Sequence, residues 1–305
     1  MSKPDLKIKI GSLEMKNPVT VASGTFGYGP EYADYVDLDR LGAVTVKGIC
    51  SEPHIGNNTP RTFETASGML NAIGLPGPGA KGFVEKYIPF FEKYDVPLIV
   101  NIWGRTLEEY GDVAEQIGAQ ERVGALEVNV SCPNVKEGGA LYGTNVDLFC
   151  SVVKKVRAKT TKPIIIKLAP NVADIKAFAV AAEECGADGL AIMNSYPAMA
   201  IDIETRMPQL SNRTGGLSGP AIKPIAVKLV WEAAQVVDIP IIGMGGISSP
   251  EDAIEFIIAG ATAVAVGTAN FSDPSTAVRV TEGIESWMAQ RNIASIAELR
   301  GTVQA

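Results

Sequence analysis

One histidine in 305 residues removes several kinds of active site at once. His54 stands alone, so histidine-based triads and multi-histidine metal sites are excluded. The four cysteines, Cys50, Cys132, Cys150 and Cys185, show no CxxC and no paired spacing. They make neither a disulfide framework nor an evident zinc or iron–sulfur site, and no metal is expected. Cys150 and Cys185 fall in helical patterns, where a small buried hydrophobe is the expected role. Basic residues are outnumbered, 27 Lys and Arg against 34 Asp and Glu, giving a net charge of −7. That balance argues against nucleic acid or an anionic membrane as a partner. No apolar run approaches the roughly 18 residues of a membrane span, and MSKPDLKIKIG lacks an apolar core of signal-peptide length. A soluble, cytoplasmic protein is expected. With no linker, low-complexity segment or charge block, a single domain over 1–305 is expected as well.

What the chain does have is eight short apolar runs: VTVASG (19–24), AVTVKG (43–48), LIVNIWG (98–104), ALEVNVSC (125–132), PIIIKLAP (163–170), GLAIMNS (189–195), PIIGMGG (240–246) and AVAVGTA (263–269). Seven precede a stretch of helical periodicity, and the eighth leads into a last helix over 275–290. Near-continuous Val/Ile runs alternating with amphipathic helices imply parallel strands buried on both faces. Eight such units predict an α/β protein, a (β/α)8 TIM barrel with its site at the C-terminal strand ends. Residues 6–15 alternate and turn at Gly11-Ser12, reading as a short N-terminal hairpin. Two connections are unusually long, 50–78 after the second strand and 196–218 after the sixth. Both leave from the C-terminal rim and are expected to fold over the active face.

That rim carries Ser23, Lys47, Asn101, Asn129, Cys132, Lys167, Asn194 and Ser195, then Gly245-Gly246 and Gly267-Thr268. Glycine turns after the last two strands suit a phosphate held by backbone N–H groups, although glycines that merely permit tight turns would look the same. A lysine ending an apolar strand is costly unless it is paired or faces a polar pocket. Lys47 and Lys167 together favour recognition of negative charge, a carboxylate or a reduced flavin; snorkelling to the rim is the plainer alternative. The three asparagines supply donors and acceptors fitted to a planar ring with imide edges. Glu127 is the one acidic residue near the inner rim, and its side-chain direction stays open at this level. Cys132 opens a polar loop after the fourth strand, where a thiol can serve as a general base or nucleophile if positive neighbours lower its pKa; a structural cysteine is the plainer alternative.

The segments NVSCPNVKEGG (129–139), ETASGMLNAIGL (64–75), TGGLSGPAIKP (214–224), IPIIGMGGI and AVAVGTANF resemble class 1 dihydroorotate dehydrogenases, most of all the catalytic subunit of the class 1B enzymes. The resemblance covers nearly the whole chain. It implies a barrel that binds FMN and oxidises dihydroorotate to orotate in pyrimidine (UMP) synthesis. It implies Cys132 as the base that removes the C5 proton while the C6 hydride goes to flavin N5. Lys47, Asn71, Ala72, Ile73, Gly74, Leu75, Asn129, Asn194 and Ser195 would hold orotate. Ser23, Lys47, Gly48, Asn101, Asn129, Lys167, Met193, Gly219, Gly245, Gly246, Gly267 and Thr268 would hold FMN, with Lys167 by the ring edge and the glycines at the phosphate. It further implies a dimer of catalytic chains and a smaller partner subunit in a heterotetramer, whose FAD and 2Fe–2S cluster pass electrons to NAD.

His54 and Asn58 stand where the family pattern has arginine and proline, and Ser195 replaces a frequent threonine. Alternatives are a fumarate-linked class 1A enzyme and a flavin domain like that of dihydropyrimidine dehydrogenases, against which NAIGL and SCPNVKEGG weigh. A flavin-free isomerase or aldolase with a Schiff-base Lys167 and a non-catalytic assembly subunit are the remaining readings.

Overall fold

The computed structural model describes residues 3–130, 142, 143 and 145–304. The chain opens with β1 (Ile8–Ile10) and β2 (Leu13–Met15), an antiparallel hairpin turning at Gly11. Then come β3 (Val19–Val21), β4 (Val44–Ile49), β5 (Thr62–Thr65), β6 (Gly68–Asn71), β7 (Leu98–Ile102), β8 (Val123–Asn129), β9 (Ile164–Lys167), β10 (Gly189–Ile192), β11 (Tyr196–Ala198), β12 (Gly215–Ser218), β13 (Ile241–Met244) and β14 (Ala263–Val266). Eight of them form one parallel sheet in the order β3-β14-β13-β10-β9-β8-β7-β4. Its ends meet where Gly42 N–H donates to Val19 C=O at 2.8 Å. Thr20 Oγ1 also donates to Ala43 C=O at 2.9 Å and lies 3.0 Å from Thr45 Oγ1. The expected (β/α)8 barrel is what the chain builds.

Period-2 alternation, hidden in the apolar runs, sorts the side chains. Branched aliphatics such as Val44, Val46, Leu126, Val128, Ile164, Ile166, Val264 and Val266 join the large cluster shared with the helices. Burial of each such side chain contributes about 1.5–3 kcal/mol. The alternate residues point into the barrel. There Ala43, Ile99, Ala125, Ile165, Ala191, Ile242 and Ala263 pack with Ile10, Leu13 and Met15 of the hairpin. The hairpin thereby plugs the end opposite the strand C-termini. One step further along the same strands, the inward positions become polar: Thr45, Asn101, Glu127 and Lys167.

The helices start on local signals. Thr106 Oγ1 accepts from Glu109 N–H, and Asn145 and Asp174 cap their helices in the same way. The helix from Asp174 begins at Ile175. At Pro250–Ala259, Ser249 and Asp252 form a reciprocal capping box. Lys223 Nζ donates to Asp252 at 2.8 Å. Burial raises the Asp252 carboxyl pKa, but Lys223 and the N–H and hydroxyl of Ser248 outweigh it and hold the pKa below 3.8. The stabilisation is therefore complete above the ordinary carboxylate pKa and fades as pH falls through the lower folded value. Asp252→Ala is expected to cost about 2 kcal/mol at neutral pH and less in acid, measured by urea denaturation.

The two long connections do more than cover the rim. β5, β6, β11 and β12 make one antiparallel sheet in the order β11-β12-β6-β5, with Asn71 opposite Gly216. It has its own small core of Leu70, Ala72 and Leu210. No helix among the described residues is long and apolar enough to cross a membrane.

Candidate active site

Between the rim and that sheet lies a cavity of about 470 Å³, inside the 300–1,000 Å³ range of small-molecule sites. It collects residues from five barrel strands, from just past the ends of two more, and from both insertions. Ser23, Lys47, Gly48, Asn71, Ile73, Gly74, Leu75, Asn129, Lys167, Met193, Asn194, Ser195, Gly219, Gly245, Gly246, Gly267 and Thr268 all line it. Of the expected site residues, Ala72 does not. It is fully buried in the core of the four-stranded sheet, donating its N–H to Arg61 C=O at 2.8 Å. Period 2 turns it away from the cavity that Asn71 and Ile73 face. Asn101 stands just behind the wall. Cys132 lies outside the described residues, as does the rest of SCPNVKEGG after Val130.

Polar groups meet at the cavity floor. Asn101 and Glu127 are register partners on β7 and β8, and Asn129 and Lys167 on β8 and β9. Asn101 Nδ2 donates to Glu127 Oε1 at 2.6 Å, and Lys167 Nζ donates to the same oxygen at 3.3 Å. Lys167 also donates to Ser23 Oγ at 3.3 Å. Glu127 thus faces inward, on the same parity as Asn129, and is buried. Asn101 Oδ1 is buried with no hydrogen-bond partner among the described residues, an arrangement that a protein keeps only where a ligand or water completes it.

The opposite end is built of backbone. Gly219, Gly245 and Gly246 have φ of +98°, +129° and +77°, conformations that L side chains rarely adopt. A Cβ on Gly246 would stand 2.9 Å from Gly219 C=O and 2.8 Å from Lys223 Cβ. Thr268 Oγ1 donates to Ser218 Oγ at 2.8 Å across this end. At the third side, burial first and the Arg61 guanidinium second lower the pKa of Lys47 from 10.5. Leu75 there is held at φ +52°, directly after Gly74 at +77°, a conformation costing about 1 kcal/mol or more for a side-chain-bearing residue.

The pattern that defines the dihydroorotate dehydrogenase family matches residues 5–288. The chain belongs to that family. It is 52% identical over 302 residues to the protein named dihydroorotate dehydrogenase B (NAD(+)), catalytic subunit, of Trichlorobacter lovleyi, covering 99% of each chain. The Geotalea daltonii protein of that name is 51% identical over 304 residues, covering all of both chains. That of Alkaliphilus metalliredigens is 52% identical over 303 residues, covering 99% of this chain and all of its own. The class 1B resemblance read from the sequence is borne out.

Within the family frame, the structure adds cavity-lining residues that sequence reading missed: Thr25, Thr62, Met69, Ser218, Ile222, Met244 and Phe271. Ser218 and Phe271 sit inside quoted motifs, and strand parity from Gly246 would have found Met244. Met69 lies in the quoted ETASGMLNAIGL, two residues before Asn71 on the same strand. Thr62 carries no local signal, because only the pairing of the insertions brings it there. Among the described residues no group of three or more His, Cys, Asp or Glu side chains comes together. Cys150 and Cys185 are half-buried rather than buried. They neighbour one another on adjacent helices, and burial followed by Cys185 pushes the Cys150 thiol up to about 11. Burial and then Glu109 push Cys50 up to about 11 as well.

Proposed function

We propose that this chain is the catalytic subunit of an NAD-linked, FMN-dependent dihydroorotate dehydrogenase, oxidising (S)-dihydroorotate to orotate in pyrimidine synthesis. The observation that carries the reading is the cavity itself: a polar floor with a buried, unanswered acceptor, facing a glycine-built end. Those features fit FMN. The imide edge of the ring offers one N–H, a donor that Asn101 Oδ1 lacks among the described residues, and Ser23, Lys47, Gly48, Asn129, Lys167 and Met193 would hold the ring. The phosphate would lie against Gly219, Gly245, Gly246, Gly267 and Thr268, where backbone N–H groups come close. When bound, the flavin supplies a hydride acceptor.

The chain's own residues do the rest. Asn71, Ile73, Gly74, Leu75, Asn194 and Ser195 orient the substrate ring from the insertion side, and Lys47 pairs with its carboxylate. Cys132, three residues beyond the last residue of β8 in the sequence, takes the proton from C5. The curated relatives carry NAD(+) and "catalytic subunit" in their names. Those names support NAD as acceptor and a further subunit beside this one. The rest of the proposal is that this subunit is smaller and carries FAD and a 2Fe–2S cluster, that two catalytic chains join it in a cytoplasmic heterotetramer, and that 1–305 acts as one FMN-binding domain.

The test is the visible spectrum of the purified chain before and after anaerobic dihydroorotate. Bleaching of a flavin spectrum is the expected result. A flavin left oxidised sinks the substrate assignment and turns attention to uracil. A chain that takes up no FMN sinks the reading altogether.

A further inference from the structure

Glu127 has no part in the proposed chemistry, yet its carboxylate, 1% exposed, lies behind the cavity wall and bonds to Lys167, which lines the cavity. Its Oε1 receives both Asn101 Nδ2, at 2.6 Å, and Lys167 Nζ, at 3.3 Å. A carboxylate only accepts hydrogen bonds. The Asn101 amide nitrogen is therefore committed to Glu127, and Oδ1 is turned the other way, toward Gly48, where an added Cβ would lie 2.8 Å from it. Gly48 and Lys167 both line the cavity. Glu127 thus acts on the cavity through two neighbours, one by orientation and one by charge.

We propose that Glu127 is a positioning residue that keeps the flavin's reduction potential low by offsetting the charge of Lys167; this rests on the reading that the cavity holds FMN. An uncompensated lysine beside the ring favours the reduced, anionic form. A carboxylate on the same ammonium weakens that preference, so that electrons are released to the next carrier rather than retained.

Glu127→Gln isolates the charge, because a Gln Oε1 in the place of the carboxylate oxygen keeps both hydrogen bonds. With FMN bound to the full chain, the oxidised-to-reduced ratio at fixed poise is expected to shift about tenfold toward reduced. For a two-electron couple this is a rise of about 30 mV, read by dye equilibration. Glu127→Asp, which keeps the charge, is expected to stay within about twofold of the parent. An FMN-replete Glu127→Gln chain with an unchanged or lower potential overturns the proposal, and so does an equal rise in Glu127→Asp. If the Gln variant does not fold, Glu127→Asp decides alone: a tenfold shift there overturns it, and a parent-like value upholds it. Failure of the parent chain to take up FMN would instead remove the reading of the cavity beneath it.

Discussion

Replacing Cys132 with alanine is expected to lower turnover of dihydroorotate by about 10²–10⁴-fold, the range over which a positioned general base contributes, while FMN stays bound at parent stoichiometry. Every side chain assigned to the flavin remains in that variant, and the polar floor at Glu127 and Lys167 is untouched. No described thiol can stand in. Cys50 is buried with its thiol pushed up to about 11, and Cys150, likewise at about 11, sits on an outer helix. Neither of these, nor Cys185, lines the cavity. The measurement is stopped-flow flavin bleaching with the flavin content of each preparation fixed by absorbance. Bleaching at near-parent rates would remove Cys132 from the base role. In the parent, the same rate is expected to rise with pH as the thiolate forms.

The second large effect belongs to Lys47. Its ammonium lines the cavity beside the insertion loop and is paired, in the proposed complex, with the substrate carboxylate. Lys47→Ala is expected to lower kcat/KM by about 10²–10³-fold, because a charge-assisted hydrogen bond in a desolvated site is lost and the carboxylate left unanswered. The pH dependence follows from the same surroundings. Burial and then Arg61 lower the Lys47 pKa from 10.5, and only the protonated form attracts an anion. Orotate affinity should thus be full at neutral pH and fall as pH rises through that lowered pKa, before 10.5 is reached. Orotate titrations followed by flavin absorbance from pH 7 to 10.5 test it. A flat profile, or an alanine variant with unchanged kcat/KM, would assign the carboxylate to another group.

Eight strands were legible because continuous Val/Ile runs survive only between two apolar layers, and all eight occupy the barrel. The glycine-built end was legible too. Gly245 and Gly246 follow a strand and precede a capped helix, and their positive φ angles are what such a turn needs. Glu127 was not. In a run buried on both faces, hydrophobicity does not say which parity points inward. Only closure of the sheet, which sets Ala125, Glu127 and Asn129 inside and Leu126 and Val128 outside, settles the question.

The insertions show the same divide. Their length and point of departure announced a cover for the rim. Pairing of β6 with β12, across 145 residues between Asn71 and Gly216, was not announced. That long-range ladder brings Thr62 and Met69 to the cavity and takes Ala72 out of it. By itself the sequence determined the barrel, the rim that bears the chemistry and most of the residues on it, because local periodicity and backbone freedom are written residue by residue. Tertiary structure alone decided which alternate residues face the cavity, because parity has no meaning until the sheet closes and the insertions pair.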